Sequence, residues 1–154
     1  MSRRVVSRHR IAVNAPIADA FMFFTPAGEE RWVQGWQPTY LSPPDGRTEA
    51  GMVFTTGEGA ERTIWLMVDF DRTQHRSRYV RCTPASRTGT VEVRCSALST
   101  ERTEVEVVYD MTALDADGSA SLDAYEGRAF VEMIDGWARD IELHIDVLRA
   151  GPIR

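Results

Sequence analysis

The last third of the chain constrains the fold more than any other stretch. From Ser121 to Arg149, at about 100° per residue, Leu122, Phe130, Met133, Trp137, Ile141 and Leu148 share one helical face. Arg128, Glu132, Asp135, Arg139, Glu142 and Asp146 take the opposite face. An apolar stripe of that length has to be covered. The block of short alternating segments upstream is the only large candidate, so the helix is expected to pack against a sheet. Such a pairing suggests an internal cavity without naming what fills it.

The upstream segments read as strands. Val5, Ser7, His9, Ile11 and Val13 alternate with Val6, Arg8, Arg10 and Ala12, giving a first strand with a mostly apolar inner face. Asn14-Ala-Pro16 then predicts a helix start, with Asn14 as cap and proline in the first turn. Ile17, Ala20, Phe21 and Phe24 form that helix's stripe. Thr25-Pro26 stops it and opens a second short helix carrying Glu29, Glu30, Arg31, Trp32 and Val33 up to Gly35. Further strands are expected at 37–41, 52–56, 62–70, 76–83, 90–98 and 104–112, each bounded by turn residues. Ser42-Pro-Pro-Asp-Gly46 is the strongest turn cluster, and Thr56-Gly-Glu-Gly59 reads as a hairpin turn rather than a phosphate cradle. The order is strand, two short helices, six antiparallel strands, one long helix: an α+β arrangement.

Composition narrows the function classes. At 154 residues the chain fits one domain, residues 1–154, able to bury roughly two-thirds of its extended surface. A net charge of −5 argues against nucleic acid or an anionic membrane surface as the main partner. No apolar run approaches the ~20 residues that span a bilayer, so no membrane insertion is expected. The twin arginines Arg3 and Arg4 are followed by Arg8, Arg10, Asn14 and Asp19 in place of an apolar core, which argues against export and for a cytoplasmic location. All 18 basic residues are arginine, so Schiff-base chemistry on a lysine is impossible. Cys82 and Cys95 match neither a C-x-x-C motif nor a zinc pattern and are expected as free thiols. His9, His75 and His144 show no metal-ligand spacing, and no glycine loop cradles phosphate, so neither metal nor cofactor is expected.

The element order, the Asn14-Ala-Pro16 start, the Glu30-Arg-Trp-Val-x-Gly-Trp36 segment and Arg78-Tyr-Val-Arg-Cys-Thr-Pro84 resemble the helix-grip SRPBCC superfamily. It contains START lipid-transfer domains, plant pathogenesis-related allergens and bacterial polyketide cyclase/dehydrase-like proteins, and the chain is most similar to the last of these. The resemblance covers nearly the whole chain. It implies a curved, seven-stranded antiparallel sheet wrapped around the C-terminal helix, with an apolar cavity between them. Its motifs are packing patterns, so it speaks to fold more than to activity.

In such a fold Trp32, Trp36, Tyr40, Phe54, Trp65, Tyr109, Phe130, Met133 and Trp137 would surround the cavity, as ligand contacts or as ordinary core. Glu126 and His144 fall at one helical angle near the centre of the stripe, with Asp140 one turn before His144. A carboxylate there can orient a histidine as a general base, which makes Glu126 and His144 the catalytic candidates. The competing roles are a structural pair at Asp140 and His144, and a macrodipole carboxylate at Glu126. Arg78 or Arg81 faces inward depending on hairpin register. An inward arginine binds a carboxylate or enolate, whereas the outward orientation, which is the default, pairs with Glu92. Gly136 is expected to permit close approach of helix and sheet; Gly127 has no account.

Three functions remain open: binding or carriage of a small hydrophobic or aromatic molecule, a polyketide cyclase/dehydrase-type enzyme, and a protein-interaction module like the chaperone-ATPase activators of the same superfamily. Monomer and homodimer both remain open.

Overall fold

Period-two burial runs through every long strand, and that is what closes the core. The computed structural model describes residues 2–154. Seven strands form one antiparallel sheet in the order β1-β7-β6-β5-β4-β3-β2. They are β1 (Arg4–Val13), β2 (Thr39–Ser42), β3 (Val53–Thr56), β4 (Thr63–Asp71), β5 (Arg76–Thr83), β6 (Arg87–Ser99) and β7 (Arg102–Ala113). On β7, Val105, Val107, Tyr109 and Met111 are buried in alternation with half-exposed Glu104, Glu106, Val108 and Asp110. The chain joins β1 to the far edge by α1 (Ile17–Phe23) and α2 (Pro26–Glu29), and returns across the sheet through α3 (Ala116–Ser121), α4 (Gly127–Leu143) and α5 (Ile145–Arg149).

At Gly89 on β6 a Cβ would lie 1.9 Å from the Asp110 carbonyl oxygen of β7, so a side chain has no room between the strands there. The concave face carries Phe54, Trp65, Tyr79, Val91, Val93 and Tyr109, and α4 lies along β1 with Phe130 and Ile134 buried beneath it. His9 Nε2 meets Asp135 Oδ1 at 2.7 Å and ties β1 to that helix.

Five local expectations change. The long helix begins at Gly127, not Ser121: α3 and a 3₁₀ turn (Leu122–Tyr125) come first, Glu126 is extended at φ −128°, and Gly127 sits at φ +57°. That positive φ supplies the reason for a glycine at this helix start. The helix also breaks at His144, whose Nδ1 lies 2.8 Å from the Asp140 carbonyl oxygen. Asn14 does not cap α1; Pro16 holds that position and the Asn14 amide donates to Glu142 across 3.1 Å. Gly136 permits no close approach, since a Cβ there would meet only the Arg139 side chain at 3.6 Å. Thr25-Pro26 opens α2 as expected, the Thr25 hydroxyl accepting from the Gly28 amide at 3.1 Å, but the helix ends at Glu29 and turns, not helix, carry the chain to Gly35.

The register also separates the two cysteines. Cys82 faces Thr88 across β5 and β6, whereas Cys95 pairs with Val105 on the other side of β6, so both remain free. Burial pushes the Cys95 thiol up to about 12. No helix among the described residues is long and apolar enough to cross a membrane.

Candidate functional site

Between the concave sheet face and the helices lies a cavity of about 200 Å³. The sheet supplies Phe54 and Thr56 from β3, Trp65 from β4, Tyr79 and Arg81 from β5, Val91 and Val93 from β6 and Tyr109 from β7. Phe24, Glu29, Val33 and Trp36 come from α1, α2 and the turns that follow, and Trp137 from α4. Glu29, Val33 and Trp36 are spaced i, i+4, i+7, and near-helical hydrogen bonds (Val33 N to Glu29 O, 2.8 Å; Trp36 N to Val33 O, 3.2 Å) hold all three toward the cavity.

Its walls are rigid aromatic surface. Phe54 and Trp65 stack at 5.6 Å with a 3° interplanar angle, and Tyr79 meets Trp65 edge-on at 5.8 Å. Three of the rings have their polar ends tied off by the protein. Trp65 Nε1 donates to Thr56 Oγ1 (2.9 Å), Trp36 Nε1 to the Pro26 carbonyl (3.0 Å) and the Tyr79 hydroxyl to the Phe24 carbonyl (2.9 Å). With those donors satisfied, the rings offer apolar faces in fixed orientations. Trp36 and Thr56 also line a recess between the 35–39 turn and the 55–59 turn, so they form the wall between cavity and surface.

Two ionisable groups break this apolar lining. Glu29 makes no side-chain hydrogen bond among the described residues, and burial alone pushes its carboxyl well above the usual carboxylate range. Glu29 is half-buried and borders the cavity. The second group is Arg81, 8% exposed. Its guanidinium carbon lies 4.7 Å from the Trp65 ring centre and 5.7 Å from that of Tyr125, and its Nε has no partner. Tyr109 lies within electrostatic reach of both. Burial is the larger effect and raises its phenol, Arg81 partly opposes that, and Glu29 adds to it.

The aromatic candidates divide. Trp36, Phe54, Trp65, Tyr109 and Trp137 line the cavity. Trp32 lies behind it, buried against Phe24 and Trp137 with its indole donating to the Phe23 carbonyl at 2.8 Å. Tyr40 packs on Phe54 from outside and donates to Glu30 at 2.7 Å. Phe130 is core beneath Tyr109, and Met133 is half-buried on α4 away from the lining.

Glu126 and His144, the catalytic candidates, are not brought together. Because α4 starts only at Gly127, Glu126 precedes the helix on the surface, where Arg3 donates to it at 2.6 Å. His144 is exposed at the helix break and takes the Asp140 carbonyl rather than its carboxylate. Register settles the arginines: Arg78 points outward and donates to Glu92 at 3.0 Å, while Arg81 stands opposite Trp65 on the concave face, against the outward default. Glu29 was not singled out as a site residue by sequence reasoning, although its place in the Glu29-Val33-Trp36 stripe marks it.

No protein-family model matches the chain, and no curated protein matches it in sequence. Solved structures match it over nearly their whole length. The aromatase/cyclase ZhuI from Streptomyces sp. R1128 is 17% identical with a TM-score of 0.66, covering 98% of this chain and 100% of that one. The Thalictrum flavum norcoclaurine synthase, solved with dopamine and hydroxybenzaldehyde, is 9% identical with a TM-score of 0.63 over 93% of this chain and 89% of that one. An uncharacterised Rhizobium leguminosarum protein is 15% identical at 0.64, over 92% and 97%. This is the helix-grip fold. The sheet is the grip, α4 the gripped helix, and the ring-lined space between them the helix-grip cavity.

Proposed function

We propose that the protein binds a small, flat, apolar molecule in the helix-grip cavity, with Trp36, Phe54, Trp65, Tyr109 and Trp137 as its contacts. The observation that carries this reading is the cavity itself, about 200 Å³ walled by rings, with the indole N–H groups of Trp36 and Trp65 and the Tyr79 hydroxyl already satisfied by the protein. At that volume the occupant has one or two rings, below the roughly 300–1,000 Å³ of drug-sized sites. Two matched folds support it: one was solved with dopamine and hydroxybenzaldehyde, and the other is an aromatase/cyclase. An open cavity also favours a ligand over the interaction-module reading, which calls for a filled core.

The test is titration with 2-naphthamide, a flat neutral probe, followed by quenching of tryptophan fluorescence. Saturable binding at micromolar affinity, about −8 kcal/mol, is expected, weakened at least tenfold by Trp65→Ala. No saturable quenching, or an affinity indifferent to Trp65, overturns it.

A cyclase/dehydrase-type enzyme is the second reading, and Glu29 favours it. A carboxylic acid kept protonated by its surroundings can deliver a proton to a carbonyl or hydroxyl and take one back. In that case Glu29→Gln abolishes turnover of a keto-bearing substrate while leaving 2-naphthamide binding intact. If turnover survives the substitution, Glu29 is not the proton donor.

A further inference from the structure

We propose that the cavity's ligand is an anion, a planar molecule bearing a carboxylate whose charge is taken up by Arg81. This rests on the binding reading above and specifies its ligand class.

The argument starts from an imbalance of charge on the concave face. Two arginines are more than nine-tenths buried there, Arg81 and Arg87. Arg87 has its anion, with its Nη2 3.0 Å from Glu61 Oε2 and its Nη1 3.0 Å from Ser86 Oγ, although its Nε lacks a partner. Arg81 has no anionic counterpart: it forms no salt bridge among the described residues, its Nε is also without a partner, and the polar group within its reach is the neutral Tyr109 hydroxyl. What surrounds it is the ring of Trp65, the ring of Tyr125, the Tyr109 phenol and the cavity. Ring faces attract a guanidinium, but they replace neither the hydration it loses nor the acceptors its N–H groups need. A buried arginine without an anion is a costly arrangement, and an arriving carboxylate removes that cost through a forked, charge-assisted pair.

The rest of the cavity fixes which anion. The guanidinium lies over Trp65, which itself stacks on Phe54, so an acid group at Arg81 places the atoms joined to it beside two parallel rings. A flat ring attached to the carboxylate suits that space. Glu29 has no cation beside it: burial is the only influence on its carboxyl, and that end takes a neutral hydroxyl or carbonyl, not a second charge. The ligand is thus a monoanion with its charge at one end.

The experiment compares three probes of nearly one shape: 2-naphthoate, ionised at about pH 7.5, neutral 2-naphthamide and cationic 2-naphthylmethylammonium. The naphthoate is expected to bind roughly tenfold or more tightly than the amide, the value of a hydrogen bond to a charged group, and the cation not to bind. In Arg81→Met, which replaces an unpaired buried cation by an apolar chain of similar length, the amide still binds and the naphthoate preference disappears. Amide binding by this variant also certifies its fold. If the wild type binds amide and naphthoate equally, the anion proposal is overturned while the cavity reading stands, and the wild-type ratio alone decides this should Arg81→Met not fold. A naphthoate preference that survives in Arg81→Met overturns the assignment to Arg81. If no probe binds, both readings fall.

Discussion

Glu29→Gln is expected to make the ligand-free protein more stable as pH rises. In the unfolded chain Glu29 ionises near its ordinary value of 4.5; in the folded protein burial holds the same carboxyl protonated to well above that. Between those two values the folded state binds one more proton than the unfolded state. The stability supplied by this group is therefore whole below pH 4.5 and declines as pH rises toward the folded value. Inside that window the slope is about 1.4 kcal/mol per pH unit. Glutamine keeps the shape and cannot ionise, so the variant lacks this decline. The groups around the site do not interfere: Tyr40 and Tyr79 are raised above their ordinary range, mainly by burial, and so is Tyr109, while Glu30 is exposed against Tyr40. Titrations elsewhere in the chain are common to both proteins and cancel in the difference. Urea unfolding of both proteins at half-unit steps from pH 5 to 8 measures it. Parallel curves would show that Glu29 ionises in the fold as it does in water, and the neutral-acid reading of the cavity would go with it.

Phe130→Ala should lower stability by about 3–5 kcal/mol, because Phe130 is 1% exposed beneath Tyr109; a denaturant midpoint equal to wild type would place it outside the core. Glu126→Gln and His144→Asn should leave 2-naphthamide affinity unchanged, since both side chains lie on the surface, and a tenfold change in titration would refute that placement. Native protein should react with a thiol reagent at Cys82 well before Cys95, whose buried thiol stays protonated, and unfolded protein should show two free thiols; equal native rates would contradict the burial of Cys95.

Much of the fold is written as period. Alternation in Val91, Val93, Cys95 and in Val105, Val107, Tyr109, Met111 places β6 and β7 and their buried faces, because one residue of slip would turn every apolar side chain into water. The C-terminal stripe announces its helix for the same reason, and Leu122, Phe130, Ile141 and Leu148 are all buried. Helical angle alone misleads where the helix is not continuous. Placing Glu126 with His144 assumes unbroken rotation from 121 to 149, and extended Glu126, Gly127 at φ +57° and the break at His144 defeat that assumption at both ends. Gly127 was the visible warning, since a glycine without a packing reason inside a helix marks a backbone that is not helical there.

The polar residues of the cavity were hidden for a different reason, yet the same periodicities contain them. Arg78 and Arg81 are three residues apart on β5 and so must lie on opposite faces; the open question was only which face is inner. Tyr79 shares its parity with Arg81, and the opposite parity carries Arg76 and Arg78, whose partners Asp69 and Glu92 face solvent beside them. Counting partners on each face thus puts Arg81 inside, although general expectation keeps an arginine out. Glu29 follows the same logic on α2, where it occupies the apolar stripe that continues through Val33 and Trp36. In both cases the informative signal is a charged residue standing in the phase of the core without a partner of opposite charge on its own face. A structural ion pair would leave such a partner in view. Neither Glu29 nor Arg81 has one, and the two open onto one cavity, which is the ground for proposing that a ligand completes them.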